Sequence, residues 1–482
     1  MSKIKRIINC VIPVTVCNFK CHYCYLAQTN SFDKNIPKLE YEVEHILKAL
    51  NIKRLGGACM MNICAVGETL MAPYLIELSK GLLENGHYVT IVTNGTITER
   101  IKQFCHLDDD LKKRLFFKFS YQYLELKKRN LINVFFDNVE LIRKAGISFS
   151  IELTANDESI PYIDKLSDIC YKKTGALPHI IESRDNNNGL KKLTKIDNKT
   201  HMKEWSKCKS PLIKFQNKIW GEKRKEFCYA GCWVLNLYLQ NGNISPCFGG
   251  GPIIQNIFED IDEPIHYVPV GNKCPWEHCY AAHVLLTLGA IPELKTPFYS
   301  QLRDRITIDK KHWLTKDMQE ILSSKFVQSN EEYSKEQKLI INWYRDIEMN
   351  KIGNNNTKNL SKIIEKIFYK NNIKSLAIYD NYKYNASFQK IIKNTHIKLK
   401  YILYPKNIEK NNIKNIIKSN FKYLVKLTLN RDTIPVLNYN DKKPKVDAII
   451  VFDSYNYSKI KKEVENKLKV KTYLITEMDV NK

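Results

Sequence analysis

Three cysteines stand close together near the start of the chain, in Cys17-Asn-Phe-Lys-Cys21-His-Tyr-Cys24, a C-x-x-x-C-x-x-C run. Three thiolates cannot complete a structural zinc site, which takes four ligands and usually reads C-x-x-C twice. Soft thiolates suit iron–sulfur chemistry, and a four-iron cubane held by only three cysteines keeps one iron open to an exogenous ligand. Spacing alone also permits three buried or metal-binding cysteines in some other fold. A second group lies far downstream: Cys228-Tyr-Ala-Gly231-Cys232, then Cys247, then Cys274-Pro-Trp-Glu-His-Cys279. Between Cys232 and Cys247, the alternating Leu235, Leu237 and Leu239 and the turn Gln240-Asn-Gly242-Asn read as a hairpin. A hairpin fixes the ends of its two strands side by side, so cysteines flanking it can grip one metal group. Of the two that precede it, Cys228 lies just before the Gly231 turn, whereas Cys232 begins a strand that commits its side chain to one sheet face. Cys228 is therefore the expected ligand. Zinc on the same four cysteines is the alternative to iron. Cys10, Cys59, Cys64, Cys105, Cys170 and Cys208 are scattered and read mostly as small core residues.

The elements that must hold these groups follow in order. Ile7 to Val16 is an apolar stretch leading into the first cysteines. Tyr41 to Leu50 has apolar residues at helical spacing, and Met60 to Val66 reads as a buried strand ending in Gly67-Glu68. Pro73 to Asn85 predicts a helix closed by Gly86, and His87 to Val92 a strand running into Thr93-Asn94-Gly95-Thr96. Phe116 to Ser120 gives a fourth strand, Leu131 to Ala145 a helix stopped by Gly146, and Ile147 to Leu153 a fifth strand carrying Glu152. Buried strands alternating with amphipathic helices to about residue 185 predict a parallel sheet with crossover helices.

At 482 residues and 56.4 kDa the chain has room for two or three domains. No apolar run approaches the ~20 residues of a membrane span, and the N-terminal stretch is too short and strand-like for a signal peptide, so a cytoplasmic location is expected. Fourteen cysteines in so large a chain then point to metal or redox chemistry rather than to disulfides. A formal charge of +25 invites a nucleic-acid or anionic-membrane partner. Much of the excess, however, falls in Lys-, Asn- and Ile-rich stretches such as Asn354-Asn-Asn-Thr-Lys and Lys410-Asn-Asn-Ile-Lys-Asn, which suggests compositional drift onto solvated surfaces. With no helix-turn-helix, zinc-finger or RNA-recognition motif alongside it, the charge does not make nucleic acid the expected partner.

The cysteine run, with Tyr23 before its third cysteine, resembles the signature of the radical SAM superfamily. That resemblance implies a partial (β/α)6 barrel whose open iron is chelated by the amino and carboxylate groups of S-adenosylmethionine (SAM). In the family an electron from the reduced cluster cleaves SAM to methionine and a 5′-deoxyadenosyl radical that abstracts hydrogen from a substrate. Gly67 and Glu68 match a Gly-Glu pair that takes the methionine ammonium, although Ala65-Val66 stand where a further glycine is usual. Asn94 matches an asparagine facing the cofactor, and Ser120 and Glu152 fall where related enzymes contact the ribose or adenine. All five lie at or near the C-terminal ends of the expected strands, where barrels collect their chemistry.

The downstream cysteines look like the SPASM/twitch extension, which implies one auxiliary four-iron cluster on Cys228, Cys247, Cys274 and Cys279. Enzymes with this extension dehydrogenate sugar or cyclitol alcohols, or mature peptides and proteins. The expected organisation is a core over 1–205, a twitch-like module over 206–330, a helix (Glu331 to Asn350) and linker over 331–360, and an α/β domain over 361–482. In the last, Ser375 to Asp380, Leu399 to Tyr404, Val446 to Phe452 and Thr472 to Thr476 predict strands, and Ser458 to Leu468 a helix, in a Rossmann-like layout. Its first turn, Asp380 to Ser387, contains no glycine, so no dinucleotide site is expected. The tail resembles those of bacterial radical SAM proteins whose C-terminal domains are similar to surface-glycan proteins, which favours a sugar or cyclitol substrate. Peptide modification is the alternative, and a non-catalytic SAM- or cluster-binding scaffold the rival. An electron donor such as flavodoxin or ferredoxin is the implied partner.

Overall fold

The computed structural model describes residues 3–348, 357–379, 384–404, 436–438 and 445–478. These fall into two compact units, one of residues 1–265 and 275–331, the other of 266–274 and 332–482. The Gly353-Asn-Asn-Asn-Thr segment and the start of the Asp380 to Ser387 turn lie outside the described residues.

In the first unit six strands alternate with helices: β1 Arg6–Ile12, β2 Cys59–Ala65, β3 Tyr88–Thr93, β4 Leu115–Ser120, β5 Ser148–Ala155 and β6 His179–Glu182. They pair in parallel in sequence order from β1 to β6, the partial (β/α)6 barrel that the alternation predicts. Helices Leu75–Glu84 and Ile132–Lys144 pack against β3 and β5 and cover the apolar face of the strands. Three further strands follow, β7 Val234–Tyr238, β8 Asn243–Ser245 and β9 Gln255–Asn256. The hairpin forms as its turn signal predicts, with Gly242 at φ +82 and Ile244 opposite Leu237. Its first strand also pairs in parallel with β1, Ile7 against Val234 through Val11 against Tyr238. Hairpin and barrel are thus one nine-stranded sheet.

His87 fastens the helix side of this sheet. One ring nitrogen lies 3.1 Å from the Cys59 amide and the other 2.7 Å from the Leu50 carbonyl. Burial pushes the imidazole down to about 4 from an ordinary 6.5, so the folded chain refuses a proton that the unfolded chain accepts. Because the unfolded state then binds more protons, stability falls as pH drops from 6.5 towards 4, with His87 contributing about 3 kcal/mol at the acid end. His87→Gln is expected to flatten that part of the slope in denaturation curves recorded from pH 7 to pH 4.5.

The second unit has its own parallel sheet: β10 Ser375–Tyr379, β11 Lys398–Tyr404, β12 Val436–Asn438, β13 Ala448–Val451 and β14 Lys471–Leu474. The order β12-β11-β10-β13-β14 steps outward from β10 in both directions, the Rossmann-like arrangement. Ala377, Leu403, Ile449 and Val451 pack with Tyr457 and Val464 of helix Tyr457–Leu468. Residues 266–274 join this unit through Arg345, which donates to the carbonyls of Val268 and Pro269, and through His266, whose ring lies 2.6 Å from Glu477.

Candidate active site

The loop carrying Cys17, Cys21 and Cys24 lies across the C-terminal ends of the strands and is fastened to five of them. After β2, Glu68 donates its amide to the Val16 carbonyl at 2.9 Å, and Tyr25 donates its hydroxyl to the Val66 carbonyl. After β3, Asn94 donates to Asn18 at 2.7 Å, and Asn18 donates to Thr96 Oγ1 at 2.9 Å. After β4, Tyr23 donates to Gln122, and the Lys20 amide donates to Glu125 at 3.1 Å. After β5, Glu158 lies 2.7 Å from the His22 ring, and after β6 the Arg184 carbonyl accepts from Gln28 at 2.9 Å. These bonds add to the burial of Val14, Phe19 and Tyr23 in holding the loop.

Glu68 is the joint between loop and strands. Its Oε1 accepts from Thr93 Oγ1 at 2.6 Å and the Leu70 amide at 2.9 Å, and its Oε2 from the Asn94 amide at 2.8 Å. Burial raises its carboxyl, and the three donors oppose that rise. Most of its lone pairs are therefore committed to shaping the turn, as are those of Asn94, whose Oδ1 accepts from Thr96. Gly67 is the point of closest approach: a Cβ there would lie 2.2 Å from the Val16 carbonyl oxygen.

The three thiols fit an iron–sulfur cluster. Burial above all, with a smaller push from the neighbouring thiols, raises Cys17 to about 11 and Cys21 to about 12. Thiolates crowded this closely, with Glu68 and Glu125 beside them, need a cationic group to ionise together. Among the described residues no three His, Cys, Asp or Glu side chains could hold one metal ion in common.

Behind the loop, one sheet face carries polar groups. Asn62 donates to Asn9 and Asn9 to Asn236, both at 2.7 Å, so three amides form a row across β2, β1 and β7. Glu152 on β5 accepts from Ser150 at 2.9 Å and faces Lys118 Nζ at 3.8 Å and Arg303 Nη1 at 3.1 Å. Burial acts against its charge, but Arg303 and Lys118 hold the carboxyl below its ordinary range. Ser120, half-buried at the end of β4, stands in register with Glu152. Arg303 has no exposed surface, so Arg303→Met leaves a buried carboxylate short of its main counter-charge, a loss of about 3–5 kcal/mol. Chemical denaturation should register that loss, and Glu152→Gln added to Arg303→Met should recover most of it.

The downstream cysteines are only partly gathered. Cys228 and Cys279 both pack against the apolar cluster of Ile219, Ala282, Leu286 and Ile291. Cys247 closes a tight turn, its carbonyl accepting from the Gly250 amide at 2.9 Å. Cys232 is buried in the turn before β7, and Cys274 belongs to the second unit. His278, its ring tilted against that of Trp220 with centroids 4.4 Å apart, is pushed down to about 4 by burial, and burial also holds His283 neutral.

Asn18, Thr93, Tyr25, Glu125, Lys118 and Arg303 are additions to the residues expected from sequence. Asn18 and Tyr25 lie within or beside the cysteine run. Arg303 has no local signal, being 151 positions from its partner.

Comparison with known proteins places this geometry. The sequence model of the radical SAM superfamily matches residues 11–160. No curated protein matches the chain. Among solved structures, SuiB of Streptococcus suis bound to S-adenosylmethionine is 17% identical, with TM-score 0.39 over 57% of this chain and 67% of that one. The structure of anSMEcpe with AdoMet and the Cp18Cys peptide is 15% identical, TM-score 0.35, over 53% and 78%. BtrN in complex with AdoMet and 2-DOIA is 15% identical, TM-score 0.26, over 54% and 82%. Likenesses this distant carry no argument about substrate. The matched stretch, residues 11–160, contains the cysteine loop, Gly67-Glu68, Asn94, Ser120 and Glu152, and is a radical SAM domain.

Proposed function

We propose that this chain is a radical SAM enzyme that abstracts hydrogen from a sugar or cyclitol, with SAM held over the strand ends and an auxiliary cluster in the extension. Cys17, Cys21 and Cys24 would hold the first four-iron cluster, and Gly67, Glu68, Asn94, Ser120 and Glu152 would shape the SAM site. When bound, cluster and SAM together supply a one-electron cleavage whose product removes hydrogen from carbon. The chain's own part is to orient. Glu68 and Asn94 set the loop against β2 and β3, and Arg303 fixes the Glu152 carboxylate within β5.

The observation that supports a polyhydroxylated substrate is the polar sheet face behind the loop. Linked amides of Asn62, Asn9 and Asn236 on β2, β1 and β7, with Ser150 and Glu152 on β5 of the same sheet, offer donors and acceptors suited to hydroxyl groups. Anaerobically reconstituted protein with dithionite should turn SAM into 5′-deoxyadenosine. With carbon-deuterated myo-inositol or glucose the label is expected in that product. Transfer from a deuterated peptide instead would replace this reading with peptide modification, and no SAM cleavage would leave a scaffold.

For the auxiliary site, Cys228, Cys247, Cys274 and Cys279 are the proposed ligands. The shared apolar surroundings of Cys228 and Cys279 support Cys228 over Cys232. Cys228→Ala is expected to lose about four irons per chain and the matching absorbance. Cys232→Ala should keep them. Iron counts and EPR in a Cys17/Cys21/Cys24 triple-alanine background read this site alone. Loss in Cys232→Ala only would reverse the assignment, and bound zinc would make it a structural site.

A further inference from the structure

The second unit contains a cavity of about 860 Å³ lined by lysines. Lys362 and Lys366 come from helix Thr357–Lys370, Lys374 from the approach to β10, and Lys398 and Lys400 from β11. Glu365 is the one carboxylate in the lining, and it is engaged by His396, whose amide and ring nitrogen each lie 2.6 Å from Glu365 Oε1. Among the described residues none of the five lysines has an ion-pair partner. In the first unit, by contrast, helical lysines meet carboxylates one turn away, as in Lys48–Glu44, Lys102–Glu99 and Lys172–Asp168.

Compositional drift spreads lysines over convex, solvated faces. Here five converge on one concavity, which focuses their field and attracts anions. The surrounding chain adds to it: residues 332–482 hold 31 of the 76 Lys and Arg but only 15 of the 51 Asp and Glu. The same lining includes Tyr369, whose ring is 80% exposed and lies on the helix face that carries Lys362 and Lys366. An aromatic left that open beside phosphate-binding cations is a stacking surface for an unpaired base. A bare phosphate polymer has nothing for it to stack on, and a duplex keeps its base faces hidden.

We propose that this lysine-lined cavity binds single-stranded nucleic acid, its lysines tracking phosphates and Tyr369 stacking a base. Ser375 and Lys398 begin β10 and β11, so the cavity lies at the amino ends of the strands. Doubly wound sheets take their nucleotides at the opposite, carboxyl ends, so this cavity is not the crevice that such folds use.

The test uses the full chain and a fluorescein-labelled 12-nucleotide oligo(dA), followed by anisotropy from 50 to 300 mM salt. Log affinity should fall against log salt with a slope of about −2 to −3, as for three or four phosphate contacts on a single strand. Lys366→Gln, Lys398→Gln and Lys400→Gln together should weaken binding at least tenfold and reduce the slope by about 2. Arginine at the same three positions should preserve binding. Tyr369→Ala should cost about tenfold with the slope unchanged. SAM cleavage and melting temperature should stay at wild-type values, which controls for folding. Undiminished binding by the triple glutamine variant would overturn the site. Equal binding of inorganic polyphosphate or a 12-base-pair duplex, with no effect of Tyr369→Ala, would overturn the nucleic-acid assignment.

Discussion

Cys17→Ala, Cys21→Ala and Cys24→Ala combined should bring 5′-deoxyadenosine down to the level of buffer, while the chain stays folded. The thiols contribute little to holding the loop. The Cys17 sulfur accepts a single amide, from Phe19 at 3.4 Å, whereas the fastenings to the strand ends come from Asn18, Lys20, His22, Tyr23 and Tyr25. Removing three sulfurs therefore deletes a metal site and leaves its frame. Iron should fall by about four per chain, and the near-native melting curve should separate this from collapse. Product formed by the triple variant would show that the site lies elsewhere.

Gly67→Ala is expected to lower SAM cleavage at least about a hundredfold without touching a ligand. The added Cβ would meet the Val16 oxygen at 2.2 Å and the Thr15 and Val16 carbonyl carbons at 2.8 Å. All three are backbone atoms, and the neighbouring Glu68 amide pins that same carbonyl at 2.9 Å. The strain can be relieved only by moving the segment that enters Cys17, and a displacement near 1 Å at a reacting centre costs on the order of a hundredfold. Gly81→Ala is the control. Its Cβ would lie 2.3 Å from Leu47 Cδ1, the far end of a flexible side chain, and the helix gains from alanine. Comparable loss of activity in both variants would show that the effect is not the approach to Cys17.

Strands β2 to β5 are legible in the sequence because each is a short apolar run ending near a glycine or a polar turn, and they appear within one or two residues of where the pattern puts them, whereas β1 stops at Ile12, short of the apolar stretch to Val16, and the pattern marks no separate run for β6. The cysteine loop is legible from spacing alone. The work of Glu68 and Asn94 is not, since nothing local says that their side chains bond Thr93, the Asn94 amide and Asn18 across three strands. Arg303 is equally silent: its partner Glu152 is fixed by tertiary packing, and no periodicity links the two. The hairpin is readable as a hairpin, but its parallel seat beside β1 is a long-range pairing that residue patterns do not encode. Residues 266–274 likewise carry no composition shift to announce that they pack with the second unit.

That seat beside β1 sets an order of events during synthesis. β1 leaves the ribosome more than 200 residues ahead of its second partner, so its outer edge is paired only when residues 234–238 follow. Until then a strand of Ile, Val and Cys presents unpaired amides and carbonyls, the kind of edge that recruits other chains. Pairings this distant in sequence also form slowly. A fragment ending at residue 205 would keep that edge open permanently, so it should aggregate on expression while one reaching past β9 stays in solution.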